Sequence, residues 1–166
     1  MTLSNNGCCD FLNIHYEKIE IYINKSQFYS SIMLNEVKDS GLQNIYFQKI
    51  IQFGEQEVVL FDLNAFIHSN FHAVTKGSVK LCFVSDVSAY NRTIKEYLKS
   101  DIIACLIPSS SEIKSIALRE LKLLPHVLSE ALEKKGIIAC SLCSHTISYL
   151  IDLEKVLSFA INTKVE

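Results

Sequence analysis

The side chains with the most chemical reach in this sequence are Cys140-x-x-Cys143, followed by His145. Two thiols at this spacing can exchange a disulfide, and with an imidazole they can hold a soft metal. Redox use needs the first cysteine at a helix N-terminus, where its pKa falls; here the pair sits in a strand-and-turn pattern, and residues three apart on a strand face opposite sides. A zinc site needs a second ligand pair, and Cys8-Cys9 is adjacent rather than spaced. Core cysteines are the simpler reading, with a thiol or metal protein built on Cys140, Cys143 and His145 as an alternative. His68 and His72 stand four apart, a metal-like spacing, yet no carboxylate lies beside them and they read as a solvated connection. His126, following Pro125, reads as surface.

Two carboxylates recur in equivalent settings. Asp62 closes the apolar run 58–61 and opens Leu63 to Phe66; Asp152 closes 147–151 and opens Leu153 to Leu157. Paired carboxylates can divide acid and base duties. An Asp between a strand and a helix has a plainer task, accepting a hydrogen bond from a free backbone N–H of the first turn, worth about 1 kcal/mol. The repetition therefore points to a structural joint used in two related halves. Glu36 reads either as a solvated charge or as part of a partner-binding rim. Five glycines, none at phosphate-loop spacing, and no serine elbow leave no catalytic residue, metal set or cofactor to assign.

The elements that would carry these residues are mostly short strands. Residues 1–15 read as a flexible arm. Ile19, Ile21 and Ile23 alternate with polar residues as a half-buried strand, and 28–34 can return beside it after a turn at 25–27. Residues 43–53 and 58–61 read as a hairpin about Gly54, 78–87 and 102–107 as further strands, and 137–142 with 146–151 as a last hairpin. Residues 91–100 read as a helical turn or charged loop. The stretch 112–124 has helix-forming composition up to Pro125, and 127–135 reads as a helix burying Val127, Leu128, Ala131 and Leu132 before Gly136 stops it. A terminal helix runs from Asp152 to about Phe159.

The chain has 166 residues, 49% apolar and 20% charged, with a net charge of −2. A chain of this length can bury roughly 70% of its unfolded surface without staples. That charge argues against a general nucleic-acid binder, and no basic stripe is present. The start has neither the positive charge nor the apolar run of a signal peptide, and no run approaches the ~18 residues of a membrane span. The expected location is cytoplasmic, with reduced thiols, and Cys82, Cys105 and Cys140 are expected in the core.

Gly136-Ile137, opening a hairpin that ends Tyr-Leu-Ile-Asp-Leu-Glu-Lys-Val-Leu, resembles the C-terminal end of CheW-like domains, the coupling modules of bacterial chemotaxis arrays. Residues 58–67, Val-Val-Leu-Phe-Asp-Leu-Asn-Ala-Phe-Ile, resemble that family's central strand, and Leu34-Asn35-Glu36-Val37 is similar to its early Val-x-Glu-Ile. Together these motifs span about residues 16 to 160. The resemblance implies a mainly β fold of two small five-stranded SH3-like barrels sharing a core, with a few short helices including a C-terminal one, as a single domain over 16–166. It also implies a non-enzymatic adaptor whose partners are a chemoreceptor's cytoplasmic tip and a CheA-type histidine kinase, bound through Leu34, Glu36, Val37, Phe53 and Gly54. The family's Asn-Leu-Arg-Gly turn falls on Gln52-Phe53-Gly54-Glu55, so Gly54 replaces its arginine and Glu55 its glycine, while Val59 replaces its proline. Those departures suit a specialised member, or the same fold used in another signalling scaffold.

Overall fold

A computed structural model describes residues 7–75, 78–143 and 146–163; the side chain of Cys143 lies outside that set. Eleven named strands form two sheets. The first contains β1 (Cys8–His15), β2 (Ile19–Asn24), β9 (Glu112–Ala117), β10 (Ile137–Cys143) and β11 (Thr146–Ile151), in the order β10-β11-β2-β1-β9. The second contains β3 (Ser30–Met33), β4 (Val37–Asp39), β5 (Lys49–Phe53), β6 (Gln56–Asp62), β7 (Leu81–Asp86) and β8 (Ile102–Ile107), in the order β3-β7-β8-β6-β5-β4. Four helices, α1 (Leu63–Phe71), α2 (Arg92–Leu98), α3 (His126–Lys134) and α4 (Leu153–Asn162), complete the described elements.

The outer edges of each sheet are linked. Beyond β9 the chain reaches an isolated bridge, where Lys122 N–H donates to the Cys140 carbonyl at 2.7 Å and Cys140 N–H to the Lys122 carbonyl at 2.9 Å. In the second sheet the two edge strands, β3 and β4, are successive pieces of chain joined by residues 34–36. Counted as one bent strand, they leave five staves in that sheet.

Strand alternation gives the sheets two working faces. On β6, Val58 and Leu60 join Ile51, Cys82, Ala104 and Leu106 in a cluster belonging to the second sheet. The intervening Val59 and Phe61 enter a larger cluster with Ile103, Cys105 and Ile107 of β8. The first sheet does the same, with Cys9, Phe11, Tyr22 and Ile116 on one face and Leu12, Ile14, Ile21 and Ile23 on the other. Both sheets thus contribute to one central layer, which α1 and α4 complete with Leu63, Phe66, Ile67, Leu153, Val156, Leu157 and Ala160. Full burial of each large side chain there contributes about 1.5–3 kcal/mol.

Both Asp joints form as expected. The Asp62 carboxylate accepts from Ala65 N–H at 2.8 Å at the head of α1, and Asp152 from Glu154 N–H at 3.0 Å at the head of α4. Each joint follows a strand paired in parallel with a neighbour, β6 with β8 and β11 with β2. The hairpin about Gly54 also forms, as do the strands expected within 78–87 and at 102–107 and the final hairpin, whose Ser144-His145 turn lies outside the described residues.

Other expectations are corrected. The arm proposed over residues 1–15 is, from Cys8 to His15, a strand hydrogen-bonded to β2 on one side and β9 on the other, because Phe11, Leu12 and Ile14 are buried there. The return strand at 28–34 leaves β2 through a short turn and pairs with β7 in the other sheet. Of residues 43–53 only 49–53 are strand, and Tyr46 and Phe47 are instead loop residues plugged into the core. Residues 112–117 form strand β9 rather than helix: pairing with β1 outweighs a composition-based preference worth tenths of a kcal/mol per residue. Of the two readings of 91–100 the helical one holds: residues 92–98 are helix, with Asn91 accepting from Ile94 N–H at 3.1 Å. Helix α3 stands where expected, but Val127 is 92% exposed and Leu128 51%; only Leu132, with Leu124 before the helix, packs against the central layer.

Gly136 joins α3 to β10 with φ +89°, and its carbonyl accepts from Asp152 N–H at 2.8 Å. A Cβ there would lie 2.5 Å from Val156 Cγ2 and 2.8 Å from Val156 N. Gly54 also has positive φ, but its Cβ would meet nothing within 4 Å. Urea denaturation should therefore show Gly136→Ala costing more than about 2 kcal/mol and Gly54→Ala only about 1 kcal/mol, since the first adds a backbone collision to the left-handed strain they share. Equal losses would mean that α4 does not lie against Gly136.

Candidate functional site

The residues singled out from the sequence gather at the bend of the second sheet. Leu34 leaves β3 with its N–H bound to the Lys80 carbonyl at 2.7 Å, residues 35 and 36 turn the corner, and Val37 begins β4 opposite Ile51. Leu34, Glu36, Met33, Asn35 and Gln52 face an open cleft of about 300 Å³ whose floor includes Ile32 and Ile51. Leu34 and Phe53 are half-buried and pack against the same apolar cluster, whereas Glu36, Val37 and Gly54 are exposed. Gly54 sits in the β5–β6 turn, where Gln52 Nε2 donates to its carbonyl at 3.0 Å. Leu34 and Glu36 thus share a cleft, Val37 flanks it, and Phe53 with Gly54 occupies the adjoining hairpin.

Two residues that sequence reasoning did not single out enlarge this surface. Tyr29 is 56% exposed and meets the Phe53 ring edge-on at 6.2 Å, and Met33 is 59% exposed. The signal was present in 28–34, Phe-Tyr-Ser-Ser-Ile-Met-Leu, whose apolar residues fall on both strand faces although only one, with Ile32 and Leu34, is covered. Lys38 binds Glu57 at 2.8 Å, and that bond, with Glu36 contributing, holds its ammonium above the ordinary range. Partial burial, then Asp86, pushes the Tyr29 phenol up.

Of the alternative thiol and metal constellation, only the Cys140 side chain lies among the described residues. Cys140 is half-buried on β10, not a core residue, while the Cys143 side chain and His145 lie outside the described residues. His68 is on α1, and His72 is that helix's left-handed cap at φ 51°, so the pair belongs to a helix end rather than a loop. Among the described residues no group of three His, Cys, Asp or Glu side chains could hold a metal ion. Cys82 and Cys105 are fully buried, as expected.

No family model matches the chain, and no curated protein matches it. Solved structures do match. One is the crystal structure of the scaffolding protein TtCheW from Thermoanaerobacter tengcongensis, with a TM-score of 0.63 and 9% sequence identity over 87% of this chain and 84% of that one. This chain therefore has a CheW-like fold, mainly β in two packed sheets, at an identity that carries fold alone. No described helix is long and apolar enough to cross a membrane.

Burial, then the Asp62 carboxylate, pushes the Cys82 thiol from its ordinary 9.0 up to about 11. Both states keep the proton below pH 9; between about pH 9 and 11 the unfolded chain releases it first, so folding stability falls as pH rises through that window. Burial shifts Cys105 and Tyr16 in the same direction. Urea midpoints measured from pH 8 to 11 should fall, with a shallower decline in Cys82→Ala. An unchanged slope in that variant would mean that the thiol is not desolvated.

Proposed function

We propose that this protein is a non-enzymatic, cytoplasmic adaptor of a bacterial chemotaxis-type signalling system, acting as one domain that couples a chemoreceptor's cytoplasmic tip to a CheA-type histidine kinase. The observation that carries this reading is the apolar surface around the β3–β4 bend, set in the fold of a scaffolding protein. Tyr29, Met33 and Val37 are exposed there beside the half-buried Leu34 and Phe53. Large apolar groups grouped around a cleft and rimmed by polar residues are the features of a protein-binding surface.

Scaffolding asks little chemistry of such a site. A partner's apolar side chains displace water from Met33, Leu34 and Phe53, while Glu36 and the β5–β6 turn set orientation. A second reading, the same fold serving a different signalling scaffold, is favoured by the turn itself, where Gly54 and Glu55 supply no cation.

Calorimetric titration of the purified protein with a kinase regulatory domain and with a receptor tip tests the proposal. Saturable binding of either should weaken about tenfold or more in Phe53→Ala or Met33→Ala, variants whose thermal unfolding remains cooperative. Absence of binding to both at high micromolar concentration would remove the kinase–receptor reading, and wild-type affinity in both variants would move the contact elsewhere.

A further inference from the structure

We infer that the partner segment docking at the β3–β4 bend is a cationic amphipathic helix; this rests on the docking reading above and adds the chemistry of the occupant. The charges around the bend are unbalanced. Glu36 and Glu55 are exposed and make no ion pair among the described residues, and Asp86 lies near Tyr29. Of the nearby cations, Lys38 is engaged with Glu57 at 2.8 Å, which leaves the exposed Lys80, whose backbone carbonyl accepts from Leu34 N–H, as one cation against three carboxylates. The apolar groups Tyr29, Met33, Val37 and Phe53 therefore sit within a rim with acidic charge to spare.

The shape of the edge selects a helix over a strand. An added strand needs a straight ladder of free backbone groups. Here β3 has four residues and β4 three, and the bend at 34–36 separates them. The cleft of about 300 Å³ instead admits one or two side chains at a time, as when a helix lays an apolar stripe into a groove. Lysine or arginine beside that stripe would meet Glu36 at the cleft and Glu55 in the adjoining β5–β6 turn.

The test uses the full chain and two labelled helical peptides with the same leucine–isoleucine stripe, one flanked by lysines and the other by glutamates, followed by fluorescence anisotropy. At low ionic strength the lysine peptide should bind about tenfold or more tightly than the glutamate peptide, and high salt should erode that advantage. The double substitution Glu36→Lys and Glu55→Lys, at two exposed positions, should reverse the preference, whereas Phe53→Ala should weaken both peptides. Equal affinities, a preference for glutamate, or a lysine preference that survives the double substitution would overturn the inference. If the lysine peptide fails while the kinase domain or receptor tip binds, the cationic helix alone is overturned; if all three fail, the adaptor reading falls with it.

Discussion

One apolar layer, shared by two sheets, governs the rest of this molecule. Strands β6 and β8 are buried on both faces, so alternate residues serve different clusters: Leu60 and Ala104 fill their own sheet, while Phe61 and Ile103 reach the centre. Ile21 and Ile23 of β2 approach the same centre from the other side. Neither sheet can cover its central face without the other. Phe47 stacks on Phe61 at 5.1 Å, which brings the 44–47 loop into the layer, and Asn44 Nδ2 extends the tie by donating to the Ala160 carbonyl at 2.8 Å.

The two Asp joints follow from that constraint. A strand leaving the layer must turn its chain back over the central face, and a helix whose first turn is satisfied by the preceding side chain does so in the fewest residues. Asp62 sends α1 and Asp152 sends α4 across the same layer, where Phe66 of α1 meets the Phe159 ring of α4 edge-on at 6.1 Å. Gly136 marks where this arrangement is tightest, because α4 begins against its α-carbon. The two carboxylates that recur in equivalent settings are thus occupied with capping the helices that cover the shared layer. The surface proposed for partners lies at the bend of β3 into β4, where the chain turns to join two sheet edges.

What could be read from the sequence was what local pattern determines. The Asp caps, the buried run 102–107 and the hairpin about Gly54 each carry their signal within about ten residues, and each formed. Strands β1 and β9 did not carry one: Cys8 pairs with Ala117 and Asn13 with Glu112, so the partner that makes each a strand lies about a hundred residues away. The stretch 112–124 has helix-forming composition, and residues 1–13 read as a small, polar start. The bend was similar. The order of Leu34, Glu36 and Val37 was visible, and pairing of Val37 with Ile51 brings them beside the Phe53 hairpin, but the exposure of Tyr29 and Met33 depended on which face of β3 the second sheet covers.

A shared layer also fixes the two sheets relative to each other, which is the property a scaffold needs if separate surfaces are to hold partners in register. Native-state hydrogen exchange in rising urea tests this most directly, by following amides of β2 such as Ile23 and amides of β8 such as Ile103. If the layer is common property, both sets merge onto one opening isotherm with the same free energy and the same urea dependence. Two isotherms of different free energy and slope would show the sheets opening independently, and would contradict it.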